Sequence, residues 1–210
     1  MRPPAIPLIN VDPYFSLWAP YDKVTDGAIR HWTGAENNVV GSIIIDGIQY
    51  GFLGKGHNKI LQQTNLEITA FTTELTFENE LIVLYVKFCS PLMPDDIELM
   101  SEPIGYMECR YVAKDGKAHE VRLSLLATEE LCIDRKGEDD VVCERVLHDT
   151  VSCLKMGSKS QKVLGRCGDN VRIDWGYFYL ASNAPKSTIQ ETVFEGMKAI
   201  ELCVPLCEGK

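Results

Sequence analysis

Two short segments concentrate the polar and aromatic side chains that could do chemistry. The first spans residues 26–34 and contains Asp26, Arg30, His31 and Trp32. An acid, a cation and a histidine could line a pocket, with the tryptophan as its wall. In a simpler interpretation, Arg30 pairs with an acid, Trp32 fills a seam and His31 caps a loop. We favour this structural interpretation, because ion pairs and seam aromatics are common in proteins.

The second segment spans residues 168–180 and contains Arg172, Asp174 and Trp175. Charged and apolar residues alternate here, which predicts a strand over residues 171–180 with its charges on one face. We expect Arg172 and Asp174 to pair on that face. Asp174 and Trp175 are therefore candidates for an interface or for the rim of an active site, together with the four residues of the first segment.

The other arrangements that support catalysis or metal binding are absent from the sequence. The four histidines are far apart, and none has the i, i+4 spacing of a helical metal pair. There is no G-x-S-x-G, and the glycine-rich segment at residues 51–56 lacks the spacing of a phosphate-binding loop. A triad of serine, histidine and aspartate can be drawn in any chain of this size, so residue types alone predict nothing. We name no catalytic residue, no metal ligand and no cofactor.

Eight cysteines could form disulfides or remain free. Most of them lie inside apolar, strand-like runs, and a chain of 210 residues can bury a core without covalent staples. We therefore favour buried free thiols over a disulfide framework. The closest pair, Cys203 and Cys207, has no second pair to complete a zinc site.

Net charge and hydropathy argue against nucleic acid as a partner and against a membrane-spanning helix. The formal net charge is −9, and an acidic surface repels the phosphate backbone of nucleic acids. No apolar run approaches the roughly 20 residues that a membrane-spanning helix needs. The first residues contain no apolar core of a signal peptide. A cytoplasmic protein, or one whose leader has been replaced by Met1, fits these features.

Short β-rich runs, broken by turn residues, must position the two polar segments. Three predicted hairpins join residues 41–45 to 48–53 around Asp46-Gly47, residues 66–77 to 81–88, and residues 104–112 to 120–127. Further strands are predicted at residues 131–134, 141–147, 151–156, 171–180 and 199–204. Residues 90–103 are predicted to form a loop with a helical turn at residues 95–100.

The first forty residues differ from the rest, because five prolines and five aromatic residues fall among them. Prolines donate no backbone hydrogen bond, so we predict an extended arm without a regular ladder. The fold class predicted is all-β, an antiparallel β-sandwich with this N-terminal arm. Residues 1–60 would form the arm and first hairpin, and residues 61–210 the sandwich.

Ordered motifs run along nearly the whole chain. A first set comprises Arg2-Pro-Pro-Ala-Ile-Pro-Leu8, Asp12-Pro-Tyr-Phe-Ser-Leu-Trp18, Thr25-Asp26, Arg30-His-Trp-Thr-Gly34 and Asp46-Gly47. A second set comprises Ser90-Pro-Leu-Met-Pro-Asp-Asp96, Ser101-Glu-Pro103 and Arg172-Ile-Asp-Trp-Gly-Tyr177. The first set resembles the opening of the glutaminase A family, and the second resembles the β-sandwich region that follows it.

The resemblance implies an activity that lies outside this chain. Family members hydrolyse L-glutamine to L-glutamate and ammonia, are usually secreted or periplasmic, and carry their catalytic part in a later helical domain. The chain would then be a non-catalytic region that packs against a C-terminal catalytic domain, its expected partner. We further expect that an open sheet edge promotes self-association.

Two other functions remain open from the sequence. Trp18, Trp32 and Trp175 could stack sugars in a carbohydrate-binding or other ligand-binding sandwich. Rings that are solvent-exposed and coplanar would favour that function, whereas buried rings would dismiss it. A stand-alone hydrolase would need a nucleophile or a water-activating pair in one cleft.

Overall fold

Alternation of apolar and polar side chains builds this chain into antiparallel strands. The architecture is seen in a computed structural model, which describes residues 3–148, 150–172 and 174–209. The strands are β1 (Ile6–Asp12), β2 (Phe15–Ala19), β3 (Val39–Ile45), β4 (Ile48–Leu53), β5 (Gln62–Ile68), β6 (Thr72–Glu78), β7 (Ile82–Cys89), β8 (Tyr106–Ala113), β9 (Val121–Thr128), β10 (Val141–His148), β11 (Val151–Ser158), β12 (Phe178–Ser182), β13 (Thr188–Phe194) and β14 (Met197–Leu206). A short helix, α1 (Ile97–Ser101), and a 3₁₀ turn, Glu129–Leu131, interrupt them.

The strands form sheets of five, four, three and two strands, and the predicted all-β sandwich is confirmed. The orders are β13-β14-β9-β3-β4, β5-β6-β7-β8, β10-β11-β12 and β1-β2. Every strand pairing in these sheets is antiparallel. Among the described residues, no helix has the length and apolar character that a membrane crossing requires.

The inward faces of the two larger sheets share one hydrophobic core. Ile43 pairs with Leu123 in the five-stranded sheet, and both side chains are buried. Phe52 of β4 meets Phe77 of β6 edge to face, with ring centroids 5.8 Å apart. Both phenylalanines are fully buried, and each burial contributes about 2–3 kcal/mol. This contact therefore links the two sheets.

Turns with a strong local signal form where the sequence predicts them. Asp46 and Gly47 take positive φ angles of 49° and 84°, as a type I′ hairpin turn requires. Asn79 closes the β6–β7 turn, because its side-chain oxygen accepts the amides of Leu81 and Ile82, each at 2.9 Å. The helical turn predicted at residues 95–100 is α1, capped by Asp96, whose carboxylate accepts the amide of Leu99 at 2.9 Å.

The predicted hairpin between residues 104–112 and 120–127 is wrong. Strand β8 pairs with β7 in the four-stranded sheet, whereas β9 pairs with β3 and β14 in the five-stranded sheet. The chain therefore crosses from one sheet to the other at residues 114–120. The apolar side chains of β9, which include Val121, complete the face of β3, and this burial outweighs the local turn signal.

Three other predicted strands need correction. The single strand at residues 66–77 is divided between β5 and β6 by a turn in which the amide of Thr69 bonds the carbonyl of Thr72 at 2.8 Å. Residues 131–134 form no strand, because the 3₁₀ turn redirects the chain there. Residues 171, 172 and 174–177 also lie outside strands, and β12 begins at Phe178. The part of this prediction that falls on residue 173 lies outside the described residues.

The N-terminal arm does contain a regular ladder, which corrects the prediction from its prolines. Strands β1 and β2 pair along their length, from Ile6 opposite Ala19 to Asp12 opposite Phe15. One register shift follows Pro7, which has no amide donor, and a second lies between Asn10 and Asp12. Asp12 closes the turn by accepting the amides of Tyr14 and Phe15 at 2.7 and 2.9 Å. The hairpin is attached to β6, since the hydroxyl of Thr73 donates to the Pro7 carbonyl at 2.6 Å.

His119 ties the β3–β4 turn to the connection that crosses between the sheets. Its two ring nitrogens lie 2.6 Å from an Asp46 carboxylate oxygen and 2.9 Å from an Asp115 oxygen. Asp46 also accepts the amide of Glu120 at 2.9 Å. Hydrogen bonds that His119 donates to Asp46 and Asp115 raise the pKa of His119, and the same bonds lower the pKa of each aspartate. Because carboxylates only accept, both bonds of the bridge form when the imidazole is protonated and donates from both nitrogens.

Replacement of His119 should destabilise the protein in a defined pH window. All three charges of the bridge persist above the ordinary aspartate pKa near 4 and below the ordinary histidine pKa of about 6.5. The contribution is lost as pH rises through the raised pKa of His119, or as it falls through the lowered pKa of the aspartates. We expect His119→Gln to lower Tm most near pH 5–6 and least at about pH 9.

A neutral turn residue supplies the control for this series. Asn79→Ala removes two backbone hydrogen bonds without removing a titratable group, so its effect on Tm should stay constant across the same pH range. Differential scanning calorimetry of both variants at several pH values measures this. A His119→Gln effect that does not change with pH would contradict the proposed charge state of the bridge.

Candidate functional site

Backbone bridges hold the first polar segment beside the N-terminal hairpin. Arg30 and Trp18 exchange two backbone hydrogen bonds of 2.8 Å, and the amide of His31 donates to the Ala35 carbonyl at 2.9 Å. The segment from Arg30 to Glu36 therefore forms a tight loop beyond β2. Asp26 lies outside this loop, in its own turn, where its carboxylate accepts the amide of Lys23 at 3.1 Å.

Arg30 takes part in a chain of surface ion pairs. Its guanidinium donates to the Gly34 carbonyl at 2.6 Å, to the Tyr21 hydroxyl at 3.2 Å and to the Glu36 carboxylate at 3.4 Å. Glu36 accepts a further bond from Lys55 at 3.0 Å, and this bond, with others, lowers the pKa of Glu36. The expectation that Arg30 pairs with an acid agrees with this geometry.

His31 is buried and both of its ring nitrogens are occupied. Only 1% of the residue is exposed, Nε2 lies 3.2 Å from the Pro13 carbonyl, and Nδ1 lies 3.0 Å from the Thr33 hydroxyl. Because a carbonyl only accepts, this network assigns the proton to Nε2. Burial, followed by the charge of Arg172, lowers the pKa of His31. The imidazole is therefore neutral and holds a loop together.

The three tryptophans do not form one stacking surface. Trp32 is 54% exposed, and its indole N–H donates to the Pro13 carbonyl at 2.5 Å. Trp32 therefore fills no seam within the described part of this chain. Trp18 is half-buried, and it lines a shallow depression of about 390 Å³ together with Trp32. Trp175 is half-buried and does not line this depression.

Arg172 connects three segments that lie far apart in the sequence. It is 8% exposed, and its guanidinium donates to the Glu36 carbonyl at 2.9 Å, the Asn37 side chain at 2.7 Å and the Glu130 carbonyl at 3.0 Å. It also donates to the Asp134 carbonyl, while its own amide donates to the Asp134 carboxylate at 2.8 Å. Burial lowers the pKa of Arg172, whereas the charges of Asp134 and Glu130 oppose that change.

The predicted pair between Arg172 and Asp174 is wrong. Asp174 binds Arg166 instead, through the guanidinium Nε at 2.5 Å. Arg166 also contacts the carboxylates of Asp134, at 3.4 Å, and Glu138. Residues 172 and 174 are not in a strand, so they do not share the face that the alternating pattern predicted. The loop that carries Arg166 is attached to the protein through these carboxylates.

Glu130 completes the cluster as a structural carboxylate. One of its oxygens accepts bonds from the Asn38 amide at 3.1 Å, the Asn38 side chain at 2.7 Å and the Thr128 hydroxyl at 3.0 Å. Glu36, Glu130, Asp134 and Arg166 were not singled out from the sequence. Their partners are brought together only by the fold, so no local pattern marks them.

The cysteines whose pKa is raised by burial are weak nucleophiles at neutral pH. Burial raises the pKa of Cys109 and Cys132 to about 12, and that of Cys143 to about 11. A thiol with such a pKa is not a thiolate near neutral pH, so it cannot attack a substrate. All eight thiols are free, as predicted, but only Cys132 and Cys153 are buried, four others are half-buried, and Cys167 and Cys207 are exposed.

The six predicted candidates are therefore not brought into one cleft. Arg30, His31 and Trp32 share a loop, Asp174 lies in the Arg166 cluster, and Asp26 lies in a separate turn. Each charged group among them has a local hydrogen-bond partner or ion pair. Within residues 3–148, 150–172 and 174–209, no group of three acids, histidines or cysteines is arranged to hold a metal ion. The geometry fits the support of a fold better than the activation of a nucleophile or a water molecule.

Comparisons with known proteins place the chain beside two families and one enzyme. The model of a Domain of unknown function (DUF5127) matches residues 72–199, and that of another, DUF4964, matches residues 1–65. Glutaminase A of Aspergillus oryzae is 27% identical to the chain over 194 residues, which cover 87% of this chain and 27% of that protein. The chain thus spans about a quarter of the length of the curated relative that it matches.

Removal of the Arg172 side chain should destabilise the fold strongly. Arg172→Met leaves buried carbonyls and the Asn37 side chain without their donor, which should lower the free energy of unfolding by about 3 kcal/mol or more. Arg135→Met is the matched control, because Arg135 is 75% exposed and its ion pairs are 3.5 and 3.9 Å long. That change should cost about 1 kcal/mol or less. Urea unfolding of both variants measures the difference, and equal small losses would contradict the role given to Arg172.

Proposed function

Because this chain belongs to the family described as Domain of unknown function (DUF5127), and is similar to part of a glutaminase, we propose that it is the non-catalytic, N-terminal β-sandwich region of a glutaminase-like protein. In that protein it would support a catalytic domain that hydrolyses L-glutamine to L-glutamate and ammonia. The observation that carries the proposal is the extent of the match, which covers 87% of this chain but 27% of glutaminase A.

The bonds of the polar cluster fit a region that holds a catalytic domain in place and does no chemistry itself. Amide hydrolysis needs a nucleophile, or a water molecule beside a base that can take its proton. His31 is neutral, but its nitrogens bond the Pro13 carbonyl and the Thr33 hydroxyl. The carboxylate of Asp174 is paired with Arg166, and that of Glu36 with Lys55. These groups are committed to holding loops in place.

The six candidates keep a proposed role at an interface. Trp32 and Asp26 are exposed and are available to a neighbouring domain, whereas Arg30, His31, Asp174 and Trp175 would act by fixing the loops around them. Ligand pockets often form where two domains meet. We propose that the Arg30–Trp32 loop lies near such a boundary in the complete protein.

A ligand-binding sandwich is the second candidate function. Trp18 and Trp32 line one depression, and Trp32 is open enough to contact a sugar ring. The half-buried state of Trp18 and the separate position of Trp175 make this weaker than the supporting role. A secreted or periplasmic location and self-association through a sheet edge remain predictions.

The purified chain should release no ammonia from L-glutamine. Ammonia is measured in a coupled assay with glutamate dehydrogenase, with glutaminase A of Aspergillus oryzae as the positive control. The expected result is a rate equal to that of buffer alone, because the described polar groups are engaged in structural bonds. Ammonia release that increases with the concentration of this chain would contradict the proposal.

A further inference from the structure

Helix α1 exposes its apolar side chains instead of burying them. None of its residues is buried, Ile97 is 73% exposed and Met100 is 42% exposed. These two positions are three residues apart and so lie on one side of the helix. A helix normally directs such a stripe into a core. Helix α1 therefore contributes no buried residue to this sandwich, and its apolar side is open for another surface.

The exposed side chains continue from α1 to the N-terminal hairpin. Leu92, five residues before Ile97, lines the same depression as Trp18 and Trp32. The two segments are tied together, because the Ser90 hydroxyl accepts the amide of Asn10 at 2.9 Å. We call this surface the docking face and define it by the side chains of Tyr14, Trp32, Leu92, Met93, Ile97 and Met100. Its members come from both matched regions, residues 1–65 and 72–199.

Two residues at this depression each contain a buried polar atom without a hydrogen-bond partner in the described part of the chain. The indole N–H of Trp18 and the side-chain oxygen of Asn10 are buried and have no partner among the residues that the structure describes. Both residues line the depression. A buried donor or acceptor without a partner costs about 1–3 kcal/mol.

The segments that carry most of the docking face are acidic, and Arg30, in the same loop as Trp32, is paired with Glu36. Residues 3–22 contain no lysine or arginine, and neither do residues 88–109. Asp95, Asp96 and Glu98 surround the exposed side of α1, and Asp12 borders the depression. A surface that covers this face must therefore be apolar at its centre and neutral or basic at its rim.

We propose that the catalytic part of a glutaminase-like protein covers the docking face, through an apolar patch with a basic rim. This inference rests on the proposed function, which supplies the occupant. Burial of Ile97, Met100 and Trp32 provides the hydrophobic contact, and the acidic rim sets the orientation. The face thus forms the seam between the sandwich and the domain that it supports.

A chimera tests this seam with the complete chain. In it, this chain replaces the matched region of glutaminase A of Aspergillus oryzae. Hydroxyl-radical footprinting then compares the labelling of Trp32, Ile97 and Met100 in the chimera and in the isolated chain. We expect labelling to fall about tenfold in the chimera, as side chains at the core of an interface lose contact with water. Leu147 and Leu164, which are 88% and 77% exposed elsewhere, are the controls and should not change.

A double variant provides the second measurement. Ile97→Asp with Met100→Asp should leave the Tm of the isolated chain within a few degrees, because α1 contains no buried residue. In the chimera it should restore the labelling of Trp32, since it places two further acids in an apolar seam. Val193→Asp, a change at a side chain that is 68% exposed in β13, is the matched control and should not restore it.

The outcomes separate this inference from the proposed function. A chimera that hydrolyses glutamine while Trp32, Ile97 and Met100 remain fully labelled overturns the docking face and leaves the proposed function standing. An inactive chimera with protected side chains supports the docking face and contradicts the proposed function. A chimera that is inactive and unprotected overturns both. Protection in the isolated chain that disappears on dilution shows that a second copy occupies the face, and overturns the choice of occupant.

Discussion

The buried guanidinium of Arg172 is the constraint on which the rest of the polar cluster depends. A charged group can be buried only when its donors are satisfied, and here the backbone of Glu36, Glu130 and Asp134 and the side chain of Asn37 satisfy them. These partners fix the loops that continue into the 30–36 segment and the 3₁₀ turn. The charge of Arg172 also helps to keep His31 neutral. The arginine, histidine and carboxylates of this cluster are therefore engaged in structural hydrogen bonds.

Apolar burial in the sheets and directional bonds in the polar cluster stabilise different parts of the fold. The sheets bury apolar side chains in a shared core, which supplies most of the stability but does not fix the loops at their ends. Directional bonds do so: the Arg172 and Arg166 contacts at one group of loops, and the His119 bridge at the β3–β4 turn. Helix α1 belongs to neither system, which explains why its apolar side remains available to a neighbour.

The sequence predicts the elements whose cause is local and misses those whose cause is distant. Asp46-Gly47 and Asp96 determine a turn and a helix start through bonds within a few residues. The β8–β9 crossover looks like a hairpin locally, because the choice of sheet depends on which apolar faces meet. The partners of Arg172 lie 38 to 136 positions away, so alternation along residues 171–180 suggested a strand and the wrong partner, Asp174. The division into residues 1–60 and 61–210 stays a prediction.

The protonation state of His31 tests most directly the claim that burial beside the Arg172 guanidinium holds this imidazole neutral and engages both of its nitrogens in the loop. Nitrogen-detected NMR of the labelled chain follows both ring nitrogens as pH is lowered. We predict a neutral ring with its proton on Nε2 and a midpoint below the ordinary histidine pKa of about 6.5, because burial and Arg172 disfavour the cation. A midpoint at or above that value, or a proton on Nδ1, would contradict it.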